Sequence, residues 1–138
     1  MNRNIAVIGT AFDENHKHRL EAAAQATGCT ISYYPDNDAA MAHMENIHIA
    51  FAPSDGRSPD LVKASPSLQW FASYYAGVDP LIKTQVLSEN TILTNGSGAY
   101  GVTIAEHMIM VTLMMLRRYP EYYEFVQTKQ FRSDLMIG

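Results

Sequence analysis

Two stretches of this 138-residue chain combine glycine with a helix-start signal at spacings that suit an anion. The first is Tyr75-Ala76-Gly77-Val78-Asp79-Pro80, which closes an apolar run and opens a helix within a few residues. Gly77 lets the backbone approach a ligand closely. The helix start leaves N–H groups unpaired, with the positive end of a dipole behind them, so a carboxylate or phosphate fits. The same residues also spell a tight βα turn with Asp79 as a cap and no ligand. The second stretch is Asn95-Gly96-Ser97-Gly98-Ala99-Tyr100-Gly101, followed by Thr103-Ile104-Ala105-Glu106. Thr-x-x-Glu predicts a capping box, with Thr103 as N-cap and Glu106 reaching back to its N–H. Glycines 96, 98 and 101 formally read G-x-G-x-x-G. A dinucleotide fingerprint, however, needs a full βαβ unit with an acid about 20 residues on. Here helix pattern follows helix pattern, so the loop is read as one that does not bind phosphate.

Other chemistry is sparse. No Walker loop follows Gly9-Thr10-Ala11, and no G-x-S-x-G elbow is present. The pairs His16/His18 and His43/His48 lack metal-ligand spacing with acids or cysteine, so no metal is expected. His107 lies one residue past Glu106 and is expected to be a packed, hydrogen-bonded side chain. Cys29, following Gly28, is expected to be a small buried hydrophobe. Met108, Met110, Met114 and Met115 read as interface filler. Tyr119, Tyr122 and Tyr123 read as packing at a domain or subunit boundary. No convincing acid, base or nucleophile emerges.

The elements that must position these loops alternate. Strands are predicted over residues 4–9, 30–34, 47–53, 68–75 and 91–94. Helices are predicted over 16–27, from Asp36 or Asn37 to about 45, from the Ser58-Pro59-Asp60 cap to about 64, and from Asp79-Pro80 to about 87. Such alternation with short connections implies βαβ units and a parallel sheet covered on both faces. The expected fold is α/β, a flavodoxin-like doubly wound parallel five-stranded sheet followed by a long helical arm. Ligands of such sheets bind outside the carboxyl ends of the strands, which directs attention to loops 9–13, 53–57, 76–79 and 95–101. Residues 101–118 read as one long helix, apolar nearly all round from Met108 to Leu116, which calls for burial on every side. Pro120 restarts or kinks it before a Tyr-rich helix over 119–131. The domain division is therefore 1–98 for the sheet and 99–138 for the arm.

Composition narrows the class. The chain is 47% hydrophobic and 17% charged, with a net charge of −4, which fits one globular domain plus an appendage. A single cysteine excludes an internal disulfide framework. The apolar run at residues 5–8 is too short for a secretory signal, and 108–116 too short for a membrane span. The acidic balance argues against nucleic acid. A cytoplasmic protein without nucleic-acid or membrane partners is expected.

Residues 68–118 resemble one family, the D-isomer-specific 2-hydroxyacid dehydrogenases. Leu68-Gln69-Trp70-Phe71-Ala72-Ser73 leading into Ala76-Gly77-Val78-Asp79 is similar to that family's "lkwi…s.aGvD" strand and turn. The stretch from Asn95, through Ala105-Glu106-His107, to Leu116-Arg117-Arg118 is similar to its "tN…g…vAEh…l…l.R" segment. The likeness covers about 65–138 well, and 1–64 only as a compatible order of elements. It implies a substrate domain that works with a Rossmann domain binding NAD or NADP. It implies that Ala76, Gly77 and Val78 bind the substrate carboxylate through backbone N–H groups. Ser54 and Asp55 are implied at the border of the same cleft, with Ser54 on the substrate. Gly96, Tyr100 and Thr103 are implied on the nicotinamide side, and the helices of 101–138 in a homodimer. The family's catalytic arginine, glutamate and histidine, and its fingerprint, are expected beyond this segment, which ends at Leu135-Met136-Ile137-Gly138.

Two readings follow. One is the N-terminal substrate-domain part of an NAD(P)-dependent dehydrogenase acting on a small 2-hydroxy or 2-keto acid, inactive alone. The other is a stand-alone flavodoxin-like binding or interaction module without catalysis.

Overall fold

A computed structural model describes residues 3–9 and 12–133. Thr10 and Ala11 of the first strand-end loop, and the residues after Ser133, lie outside the described residues. The chain divides into two compact units, Met1–Ser97 and Gly98–Gly138.

The first unit is a five-stranded sheet of β1 (Arg3–Ile8), β2 (Cys29–Tyr34), β3 (Ile49–Ala52), β4 (Trp70–Ser73) and β5 (Ile92–Thr94). Its order is β2-β1-β3-β4-β5, and every pairing is parallel. This is the flavodoxin-like order, with its topological switch between β1 and β3. In-register pairs such as Ile5 with Ile49 and Phe51 with Ala72 set β3 at the centre.

Side chains alternate across the strands. Ala6 and Ile8 of β1, Ala50 and Ala52 of β3 and Phe71 of β4 enter one buried cluster. Met44, Leu61 and Leu81 close it from a 3₁₀ turn (Met44–Asn46), from α3 (Ser58–Lys63) and from α4 (Asp79–Thr84). The small alanines on β1 and β3 let these helices sit close, and fully buried Phe71 contributes roughly 2–3 kcal/mol by leaving water. On the opposite face Ile5, Val7, Phe51 and Trp70, with Leu20 and Ala23 of α1 (Glu14–Ala26), line an apolar cavity of about 440 Å³.

Several expected boundaries move. Asp13 caps α1, its carboxylate accepting from His16 N at 2.8 Å. That bond to the backbone holds the Asp13 carboxyl below its usual range. Asp36 caps α2 (Asn37–Met41), which stops short of 45 and gives way to the 3₁₀ turn. Ser58 is no cap. It is the first residue of α3 and fully buried, and its hydroxyl donates to Pro53 O at 2.6 Å to close the preceding loop. Asp79 likewise opens α4 rather than capping it, and α4 ends at Gln85 in a left-handed conformation (φ 51°), before Leu87. Cys29 is half-buried, because it starts the edge strand β2.

The second unit holds α5 (Gly101–Leu116) and α6 (Tyr119–Gln127), separated by Arg118 at φ 53°. The capping box is not formed. Tyr100 precedes the first turn, and Thr103 lies inside it with its hydroxyl donating to Tyr100 O at 3.0 Å. In the single chain no residue of α5 is buried, and the His107 side chain, expected to be packed and hydrogen-bonded, is exposed without a hydrogen bond among the described residues. The sixteen residues of α5, largely apolar after His107, form a helix by local bonding alone. What they face is not written in that pattern. No helix is long and apolar enough to cross a membrane among the described residues.

Candidate functional site

The loops expected to carry function meet at the carboxyl ends of the strands. The turn after β4 runs through Tyr75, Ala76, Gly77 and Val78 into α4. Among the described residues no acceptor takes the N–H of Ala76, Gly77 or Val78. Ala76 and Gly77 are exposed, and Val78 is half-buried.

The carbonyls of the same turn are all held. Gly96 N donates to Tyr75 O at 3.0 Å, and Asn95 Nδ2 donates to Ala76 O at 2.6 Å. Ser54 Oγ donates to Gly77 O. Ser54 Oγ also lies 2.7 Å from Ser73 Oγ, and Ser73 Oγ accepts from Tyr75 N at 3.0 Å. Both serines are 5% exposed. Ser54, implied as a substrate contact, thus has its hydroxyl committed to the turn from beneath.

Gly77 has a backbone open to other residues, since a Cβ there meets only Asp79 Oδ2 at 4.0 Å. Gly96 does not. A Cβ on it would fall 2.8 Å from Tyr74 O, so a glycine is what lets the segment after β5 lie against the turn. Beside the turn, at the switch between β1 and β3, a polar cavity of about 360 Å³ is bounded by Gly9, Asp36, Asp55, Arg57, Tyr74 and Tyr75. Arg57 is paired with Asp38, and Asp55 accepts from Asn37 Nδ2 at 3.1 Å. The Tyr74 hydroxyl lies 3.2 Å from both Ile8 O and Gly9 O, tying β1 to β4, and burial pushes its pKa up.

The turn presents three unpaired N–H groups that can hold an anion; the nearby acids are Asp79, which faces Lys83 at 3.5 Å, and Asp55, which is engaged by Asn37. The glycine loop is a poor dinucleotide site. The Gly96 N–H is on Tyr75 O, and the Gly101 N–H is on Gly98 O at 3.3 Å. After β5 come only α5 and α6 among the described residues, with no following strand. The residues present therefore do not fit a pyrophosphate. Among the described residues no group of three His, Cys, Asp or Glu could hold a metal ion.

Neither the protein-family models nor the curated proteins contain a match. Solved structures do. A D-isomer-specific 2-hydroxyacid dehydrogenase family protein from Aeromonas salmonicida matches all of this chain and 43% of its own, at 27% identity and a TM-score of 0.78. The chain is thus similar to a D-isomer-specific 2-hydroxyacid dehydrogenase family protein over its whole length, in line with the resemblance of residues 68–118. A 3-phosphoglycerate dehydrogenase from Entamoeba histolytica, solved with NAD+ bound, matches 83% of this chain and 39% of its own. At 18% identity and a TM-score of 0.64 it supports the fold alone. The chain spans about two fifths of the length of these dehydrogenase structures.

Of the residues implied by the resemblance, Ala76, Gly77, Val78, Ser54 and Gly96 come together around one turn. Tyr100 and Thr103 belong to the second unit. Sequence reasoning missed the work of Ser73 and Asn95, which were present only as letters of the family-like motif. A polar residue directly at a strand's end was the available signal for both.

Proposed function

We propose that the chain is the substrate-holding domain of an NAD(P)-dependent D-2-hydroxyacid dehydrogenase and does not turn over substrate alone. The observation that carries this is the row of three unpaired N–H groups at Ala76, Gly77 and Val78, on the segment that resembles the family's carboxylate-binding turn. A small 2-hydroxy or 2-keto acid presents one carboxylate, and preorganised donors bind it without reorganising. Hydride transfer needs a nicotinamide, NAD or NADP, held by residues other than these. The exposed apolar residues of α5 support a homodimer through the 101–138 helices, as the resemblance implies.

Calorimetry separates the two ligands. Titration of this chain with NAD or NADP to millimolar concentration is expected to give no saturable heat, and mixing it with NADH and pyruvate no loss of absorbance at the nicotinamide band. Micromolar nucleotide affinity would overturn the assignment and return the 96–101 loop to the cofactor.

A further inference from the structure

We propose that Ser54, Asn95 and Gly96 are positioning residues that each aim one N–H of the turn outward, an inference that rests on the carboxylate-binding reading above. A trans peptide unit is planar, and its C=O and N–H point in opposite directions. Holding the oxygen of a unit on one side therefore sends its N–H to the other. The turn applies this three times in succession. Gly96 N–H holds Tyr75 O, which turns out the N–H of Ala76. Asn95 Nδ2 holds Ala76 O, which turns out the N–H of Gly77. Ser54 Oγ holds Gly77 O, which turns out the N–H of Val78. Each donor comes from outside the turn, from the loop after β3 or the segment after β5.

A buried serine pair underlies the third hold. A hydroxyl has one proton. With the Ser54 proton on Gly77 O, the Ser73 proton goes to Ser54 Oγ at 2.7 Å or to Tyr75 O at 3.0 Å, and Ser73 Oγ accepts from Tyr75 N–H at 3.0 Å. Both hydroxyls are closed to water, where an unmade bond is expensive, so Gly77 O and Tyr75 O are held from within the protein. None of the three positioning residues touches the substrate in this arrangement. They act through the peptide units they pin.

Nitrogen-15 relaxation of the full chain reads each peptide unit separately. In the wild type the amides of Ala76, Gly77 and Val78 should be rigid, with order parameters of about 0.85. Ser54→Ala should lower Val78 toward about 0.6 while Ala76 stays rigid, and Ser54→Thr should restore it. Asn95→Asp keeps the shape but replaces the donor with an acceptor. It should loosen Gly77 alone, and Asn95 is exposed, so the fold is safe in that variant even if burial makes Ser54→Ala unstable. Order parameters low in the wild type, unchanged in the variants, or falling at all three amides together would overturn the positioning role. A separate arm adds millimolar pyruvate. Shifts of the three amides support the carboxylate site, and no shift rejects that reading while the relaxation data still decide the pinning.

Discussion

At the scale of single residues, Gly77 and Tyr74 make opposite demands on the turn. Gly77 is open to substitution on the protein side, so Gly77→Val is expected to fold normally by circular dichroism. Its branched side chain stands where the carboxylate must come, so the pyruvate response of the three amides should vanish. In a dehydrogenase carrying this segment the same change should cost roughly 10²–10³ in rate for each donor lost. A variant with an undiminished pyruvate response would show the turn to be structural only. Tyr74 works from the other side, binding the end of β1 through its hydroxyl. Burial raises its pKa above the ordinary 10.0, with Tyr75 and Asp55 adding to the shift. The folded state holds the proton more tightly than the unfolded chain does. The stability from this group is therefore complete below about pH 10 and is lost as pH rises through the folded pKa. Urea midpoints of wild type and Tyr74→Phe compared from pH 8 to 11 check this. The difference of about 1 kcal/mol at pH 8 should shrink toward the alkaline end, and parallel curves would refute it.

At the scale of elements, the decisive contact is between the end of β4 and the segment after β5. Gly96 lies against the backbone of Tyr74, where neither side has a flexible side chain to move away. Gly96→Ala should thus force β5 and the turn apart and lower stability by about 1–3 kcal/mol, as overpacking does. Gly77→Ala, three residues past Tyr74, should leave the urea midpoint unchanged. Equal effects of the two substitutions would show that the close approach is relieved elsewhere. The pairing explains why the segment after β5 belongs to the site at all. Its glycine brings the Asn95 side chain and the Gly96 N–H within reach of two turn carbonyls.

At the scale of the whole molecule, α5 is the unresolved demand. Ile104, Met108, Ile109, Met115 and Leu116 are each more than half exposed. Leaving such side chains wet forgoes roughly 1.5–3 kcal/mol each. A second copy paired through the same helix covers them with one symmetric contact. Light scattering after size exclusion should therefore report a dimer in the micromolar range. Met115→Glu should dissociate it, because an unpaired carboxylate at an apolar contact is costly. A clean species of about the 15.4 kDa chain mass at those concentrations would refute the pairing.

Local pattern was enough for much of this protein. Alternating apolar runs, glycine punctuation and cap-then-proline signals were sufficient for five parallel strands and their order class, because each depends on a few neighbouring residues. The motif from Leu68 to Asp79 was also enough to point to the dehydrogenase likeness and to the turn after β4. Tertiary structure alone decided what Ser54, Ser73 and Asn95 do. Their partners lie between 2 and 23 residues away in the chain, and a hydroxyl or amide carries no mark of the carbonyl it will meet. It also decided that Ser58 closes a loop instead of capping a helix, and that Gly96 lies against the backbone of Tyr74. Both outcomes turn on which backbone arrives within 3 Å, and that is set by how strands stack side by side, a distance that sequence spacing does not contain.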